Sequence, residues 1–396
     1  QWYFGRCCRE ATTLSTDTTP FHAATTSPQR PREVDLLGLA WDNPRGYGPL
    51  KAAEEAAASA HPGLKLRVHW DVQPLAGFES RSIVEAAQQY DLIVMDHPHV
   101  VEAANSACLL PIDDVSSAHV GKSRHSYRWN ARHWAAPIDA ACHVAAFSAD
   151  AVPRAIDSWY ELFAAAEDGL RLAAPLKGVH SLMAFLTLVA SQGVDVGTNL
   201  DWLSGKEVES ALFLLRRLCD IQTSTTDSAA GLDWNPIDAL QALAQRDCDY
   251  LPLTFGYAEF ARQGVRFGSV PAMTTRCRPR GVLGGAGLAV SAKCGFPEEA
   301  IKFARFLADE PVQTKLWPQH GGQPAHQAAW ECLAQTHAFY RDTREAMDQA
   351  FVRPRGAHWN AFQSRAGSAI EDWLRARRDG CQTIVEQLRK LAAMLS

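Results

Sequence analysis

No stretch of this sequence approaches the ~18 consecutive apolar residues that a membrane-spanning helix needs, so nothing in it reads as a helical span. Basic charge is not in surplus. Thirty-nine Lys and Arg stand against 44 Asp and Glu, a net charge of −5, which argues against a dominant nucleic-acid surface. Cys-x-x-Cys is missing, as is any Cys/His spacing of the kind that holds zinc. The ten cysteines include an adjacent pair, Cys7 and Cys8, and are otherwise scattered. They read as buried or idle thiols, although an oxidising compartment would permit disulfides whose pairing the spacing does not give. Gly-x-Ser-x-Gly, P-loop and His-Glu-x-x-His signatures are all absent, and there is no internal repeat. The opening "QWYFGRCCRE" is too short and too polar for the apolar part of a secretory leader, and a start at Gln1 leaves export open.

What is present is an ordinary globular composition, 47% hydrophobic and 21% charged, over 396 residues. That length is enough for two or more lobes with real cores. Residues 1–32 are rich in Thr, Ser and Pro, lack hydrophobic periodicity and read as a flexible leader. An alternation then begins. "VDLLGLAW" reads as a strand and "YGPLKAAEEAAASAHPG" as a helix, with Pro49 in its first turn and Pro62-Gly63 as its stop. "LKLRVHWDV" reads as a second strand, "GFESRSIVEAAQQY" as a second helix and "DLIVMD" as a strand buried on both faces. Strand–helix repetition of this kind predicts a parallel sheet with right-handed crossovers.

Further on, "AACHVAAFSAD" reads as a long strand leaving the first lobe. "SWYELFAAAEDG" is a helix capped by Asp157 or Ser158, "LRLAAPL" a strand, and "KGVHSLMAFLTLVASQG" a helix with an apolar body. A short strand near Tyr250, strands over "FGSVPA" and "GGAGLAVSA", and a helix over "PEEAIKFARFLADE" facing inward through Ala300, Phe303, Ala304 and Leu307 complete the pattern. Residues 359–395 are mostly amphipathic helix. The outline is two α/β lobes with the chain passing between them more than once.

"GGAGLAVSAKCGFPEEAIKFARFLADEPVQTKLWPQHGGQPAHQAAW", with its Gly-rich strand, its Pro297-to-Leu307 helix, Val312-Gln313 and the Gly321-Gly322 pair before Pro324, resembles the late segment of extracellular solute-binding proteins of family 1. "YDLIVMDHPHVVEAANSACLLPIDD" is similar to that family's third strand and the segment after it. "FQSRAGSAIEDWLRARRDGCQTIVEQLRKLAAML" is similar to its closing helices. The likeness runs from Val34 to Leu395. It implies a two-lobed, type II periplasmic-binding-protein-like α/β fold, each lobe a mixed sheet flanked by helices, with a hinge between. The implied division is 33–140 and 281–330 for one lobe, 141–280 for the other, and helices over 331–396 packing on both. The resemblance also implies a monomer that holds a small molecule, a carbohydrate by family, for the permease of an ABC importer in the periplasm. No cofactor and no nucleic acid enter that picture. "WDNPRGYGP" is not a general motif of the family, and Arg45, Lys177 and His180 leave an acidic sugar or organic acid open as ligand. A non-exported sensor of the same fold is a further alternative.

Ligands of open α/β sheets gather beyond the carboxyl ends of strands. After the first strand come Trp41, Asp42, Asn43 and Arg45: a flat apolar face, a hydroxyl acceptor, an amide and a bidentate clamp, or else a structural turn with a core Trp. Asp96 and His97 follow the third strand, where Asp96 serves equally well as a cap. His97-x-His99 lacks a third ligand and is no metal pair. Asp139 lies at the expected crossing, for the cleft or for the hinge. His180 stands with Lys177 and Ser181 at a helix start, where free backbone N–H groups face a ligand or water. Tyr257 can stack and donate, whereas Phe255 reads as packing. Gly285, in "VLGGAG", lets bare backbone approach. A hydrolase is disfavoured: two lone carboxylates, Asp42 and Asp96, are weak evidence for paired acid–base work, and Cys142 and His143, as neighbours in a strand, point to opposite faces.

Overall fold

A computed structural model of the chain describes residues 32–60, 64–197, 200–225, 230–273, 276–377 and 380–394, and the leader expected over 1–32 lies outside them except for Arg32. The first strands are β1 (Arg32–Trp41), β2 (Leu64–Gln73) and β3 (Leu92–Met95). β1 pairs in parallel with both others, as the strand–helix alternation predicts. In β1, Val34, Leu36 and Ala40 face one core while Asp35 and Leu37 face out. β3 is buried on both faces.

After β4 (Leu109–Leu110) and a small hairpin of β5 (Arg128–Trp129) and β6 (Arg132–His133) comes β7 (Ala136–Ser148), thirteen residues long and buried throughout. β8 (Tyr250–Phe255), β9 (Val265–Gly268) and β10 (Leu283–Ser291) complete the strands. The order across the sheet is β2-β1-β3-β10-β7-β8, with β4 beside β10 and β9 beside β7. β10 runs antiparallel to β3 and β7, so the sheet is mixed. The N-terminal half of β7, from Ala136 to Cys142, pairs with β10. Its C-terminal half, from His143 to Ser148, pairs with β8 and β9. One strand therefore serves both lobes.

Two large cores flank this shared strand. One gathers Leu36, Val94, Ile138, Leu288, Phe303 and Leu307. The other gathers Phe185, Leu212, Leu253, Phe362 and Ile370. A smaller layer with Leu39, Ile83 and Ile93 covers the other face of the β1–β3 sheet. The helix Val179–Ala190 buries every residue from His180 onward, which explains its apolar body in the sequence. Helix Trp359–Arg375 packs along it and closes the second core.

Three chain segments run beside β7 where the lobes meet. The Gly256 N–H donates to the Cys142 carbonyl (3.1 Å), His143 N–H to Val282 (2.9 Å) and Leu283 N–H to Phe351 (2.8 Å). Gln323 ties β7 to the segment after β8. Its amide nitrogen donates to the carbonyls of Ala140 (2.7 Å) and Gly256 (3.3 Å), and its oxygen accepts from Ala258 N–H (3.0 Å).

Four local expectations change. The first helix spans Pro44–Ala60, so Pro44 begins it and Pro49 lies inside it. Asn43 accepts from Arg45 N–H at 2.8 Å, which starts the helix before the sequence pattern does. The helix expected across "GFESRSIVEAAQQY" is two helices, Leu75–Ser80 and Ile83–Gln89, because Ser82 caps the second by accepting from Glu85 N–H. "LRLAAPL" forms only a bridge from Leu172 to Tyr250. The Gln222 side chain and the Gly231 carbonyl satisfy the N–H groups of Ala174 and Leu176 instead. The strand expected over "FGSVPA" ends at Gly268, with Pro271 beyond it. Ser158, rather than Asp157, caps the helix Trp159–Glu167.

Candidate functional site

The carboxyl ends of β1 and β3, the middle of β7, the segment after β8 and the approach to β10 converge on one cavity of ≈ 50 Å³ between the lobes. Trp41, Arg45, Asp96, Asp139, Tyr257 and Gly285 all line it. These six sequence candidates come from five separate stretches of chain.

Arg45 is the centre of the inner wall. Its Nε and Nη2 donate to the two oxygens of Asp139 at 2.8 and 2.5 Å, a bidentate clamp. Its Nη1 donates to the Gly256 carbonyl at 3.2 Å. The guanidinium lies 4.6 Å from the Tyr257 ring centre and 5.6 Å from that of Trp41. Burial opposes the charge on Arg45, and Asp139 outweighs it, so the pKa is raised further above the ordinary arginine value. Trp41 leans on Phe78 (5.8 Å) and meets Tyr257 edge-on (6.2 Å).

A second buried pair stands opposite. Nη2 of Arg353 lies 2.6 Å from both oxygens of Asp96, and its Nη1 donates to Gln363 of the helix Trp359–Arg375 at 3.0 Å. Burial would raise Asp96, but Arg353 and His97 hold its carboxyl far below the usual range. His97 is itself buried, with Nδ1 3.3 Å from Asp96 and its ring edge-on to Tyr127. Burial lowers its pKa to about 4.

A larger chamber of ≈ 540 Å³ adjoins the cavity, and the two share Leu75, Glu79 and Val179. His99 and Glu102 line the chamber from the segment after β3, Lys177 and His180 from the start of the helix Val179–Ala190, Asn235 from the cap of a further helix, and Asn360 and Ser364 from the helix Trp359–Arg375. His180 Nε2 lies 3.7 Å from Glu79 Oε1 across the gap. Burial pushes Glu79 up to about 8, with Asp96 adding to the rise and Arg353 opposing it. Burial pushes His180 down to about 3, helped by Arg353 and Lys177. Both groups are therefore held neutral near pH 7.

Asp42, Asn43 and His97 line neither space. Asp42 is exposed, Asn43 is spent on the helix start, and His97 braces Asp96. Sequence reasoning missed Phe78, Glu79 and Arg353, and it assigned Phe255 to packing although Phe255 lines the cavity. The cap signal at Ser82 could have found Glu79, since it ends one helix where the residue faces inward. Nothing local marks Arg353. Among the described residues, no group of three or more His, Cys, Asp or Glu is placed to hold a metal, and no helix is long and apolar enough to cross a membrane.

Residues 81–330 of this chain match the family model described as bacterial extracellular solute-binding protein. No curated protein matches the sequence. Among solved structures, the maltose-bound MalE3 of T. maritima is similar over 91% of this chain and 100% of its own, at 17% identity and a TM-score of 0.77. An ABC transporter solute-binding protein of Thermotoga lettingae, bound with α-D-tagatose, is similar over 91% and 100%, at 13% identity and TM-score 0.75. The maltotriose-bound maltotriose-binding protein of Thermus thermophilus is similar over 92% and 100%, at 18% identity and TM-score 0.74. These similarities establish the two-lobed fold.

Proposed function

Because the chain belongs to the bacterial extracellular solute-binding proteins, we propose that it captures a carbohydrate between its lobes and delivers it to the permease of an ABC importer. The observation that carries this reading is that the inner cavity and the larger chamber share Leu75, Glu79 and Val179 as a common wall, so they lie side by side with linings drawn from well-separated stretches of the chain. Trp41, Phe78 and Tyr257 offer apolar faces, and Lys177, Asn235, Asn360 and Ser364 offer the scattered donors and acceptors that hydroxyl groups need. Ligand contact with both walls favours the closed arrangement by differential affinity. The carbohydrate-bound relatives support the ligand class.

The reading includes a monomer acting in the periplasm without catalysis, and the division of lobes expected from the sequence. An acidic ligand is the weaker choice, because Arg45 and Arg353 each already grip a carboxylate. The test is a thermal-shift screen of neutral sugars, amino sugars, sugar acids and dicarboxylates, followed by calorimetry of the best hit. A sugar that raises the melting temperature and binds one to one supports the proposal. Stabilisation by dicarboxylates alone overturns it.

A further inference from the structure

Glu79 is the one carboxyl of the cleft's inner end that the described structure leaves without a hydrogen bond. Among the described residues its oxygens find only His180, at 3.7 Å, too long for one. The side chain keeps 18% of its surface exposed, and it borders both the cavity and the chamber. His180 across the gap is buried, and its Nδ1 has no protein partner. The surrounding charges are otherwise balanced. Arg45 answers Asp139 and Arg353 answers Asp96 at contact distance, while Lys177 and Glu102 cancel in sum at the chamber wall. The Tyr257 phenol, which also lines the cavity, stays neutral. Glu79 is left as the one carboxyl here with no cationic partner at contact distance, and burial keeps it protonated near pH 7.

Resting on the carbohydrate reading, we propose that the ligand is a polyhydroxylated molecule bearing a protonated amine, an amino sugar or aminocyclitol, seated with its ammonium against Glu79. A neutral sugar leaves this carboxyl protonated in an apolar corner. An anionic one confronts it with a like charge whenever it ionises. An ammonium gives the ionised form its missing partner in a site already shielded from water, where such pairs are strongest. Binding then expels the Glu79 proton, because the carboxyl is held up to about 8 in the free cleft. Affinity for the amine therefore rises with pH below 8, by up to about tenfold per unit, until the amine itself loses its proton. Arg353 beside Glu79 and Lys177 across from it are the basic side chains facing it, and Asp96, His180 and His143 do not titrate in that window. Asp96 is ionised there, and both His180 and His143 are neutral.

Matched pairs test this by calorimetry: glucosamine with glucose, the β-1,4-linked glucosamine disaccharide with cellobiose, and an aminocyclitol with inositol. The tightest ligand is expected to be an amine, about tenfold or more tighter than its hydroxyl counterpart, with a proton released at pH 6.5 as read from buffers of different ionisation enthalpy. Glu79→Gln is expected to bring the amine to within about threefold of that counterpart. The proton count on the unsubstituted protein decides the matter even if the variant folds poorly. Neutral members that bind as tightly as the amines, with no proton released, overturn the inference and leave the carbohydrate reading standing. No binding by any member of the pairs overturns the inference, and the broader sugar screen then decides the carbohydrate reading.

Discussion

Arg353 and Asp96 lie 257 residues apart in the chain and meet with one guanidinium nitrogen 2.6 Å from each carboxylate oxygen. Both side chains are more than 90% buried. Since Arg353 also bonds Gln363, the pair links the end of β3 in one lobe to the helix that closes the other core. Coulomb attraction here works mainly to offset the desolvation of both ions, so the energetic weight lies in not leaving either one alone.

Arg353→Met is therefore expected to destabilise the protein by about 3–5 kcal/mol, read from the urea midpoint. Adding Asp96→Asn should recover part of that loss, because the orphaned charge is gone. A double variant no more stable than the single one would show that the pair is not the source of the effect.

Acid is the second prediction. Burial lowers His97, His119 and His133 to about 4, and His143 and His180 to about 3. The unfolded chain takes up protons on these rings below about pH 6.5 while the folded one does not. Glu79, held up to about 8, works the other way above about pH 4.5, but it is one group against five, so stability should fall from about 6.5 toward 4. A denaturation midpoint that stays flat between pH 6.5 and 4.5 would contradict these burials.

Gly285 is the third. Its φ is +122°, and a Cβ there would stand 2.3 Å from the Asp139 carbonyl oxygen. The nearest atoms are all β7 backbone, at Asp139 and Ala140, which prevents easy relief. Gly285→Ala should cost about 2 kcal/mol or more and, by displacing the strand that carries Asp139, weaken ligand binding as well. Gly295→Ala, which meets nothing within 4 Å, is the matched control and should change neither.

Trp41→Phe is the fourth. The smaller ring keeps part of the contact with Phe78 and Tyr257 but gives up area facing the cavity. Affinity for the best sugar should drop roughly tenfold, while the melting temperature falls by a few degrees. Unchanged affinity in calorimetry would move the binding face away from Trp41.

Much of this architecture was legible because it rests on local periodicity. The parallel start, the doubly buried β3, the long run that became β7 and the amphipathic helix Pro297–Ala308 all carry their burial pattern in a few consecutive residues. Six of the ten site candidates reached the inner cavity, and His180 the chamber, because strand ends are predictable places. Phe78, Glu79 and Arg353 were not legible, for two reasons. A single continuous helix was assumed where Ser82 starts a new one, which hid the direction of Phe78 and Glu79. Arg353 lies in an irregular stretch between two helices, and only the tertiary fold brings it to Asp96. Asp42 misled because a carboxylate beside a Trp at a strand end looks the same whether it turns inward or out to solvent.

The position of β10 governs how this chain is made. It is laid between β3 and β7, yet it is synthesised some 190 residues after β3 and 140 after β7. Until Ser291 has emerged from the ribosome, both of those strands carry an open hydrogen-bonding edge, and the first lobe cannot finish ahead of the second. Translation thus delivers two half-built lobes that are completed together, and a nascent chain stalled before Leu283 is the form most exposed to mispairing.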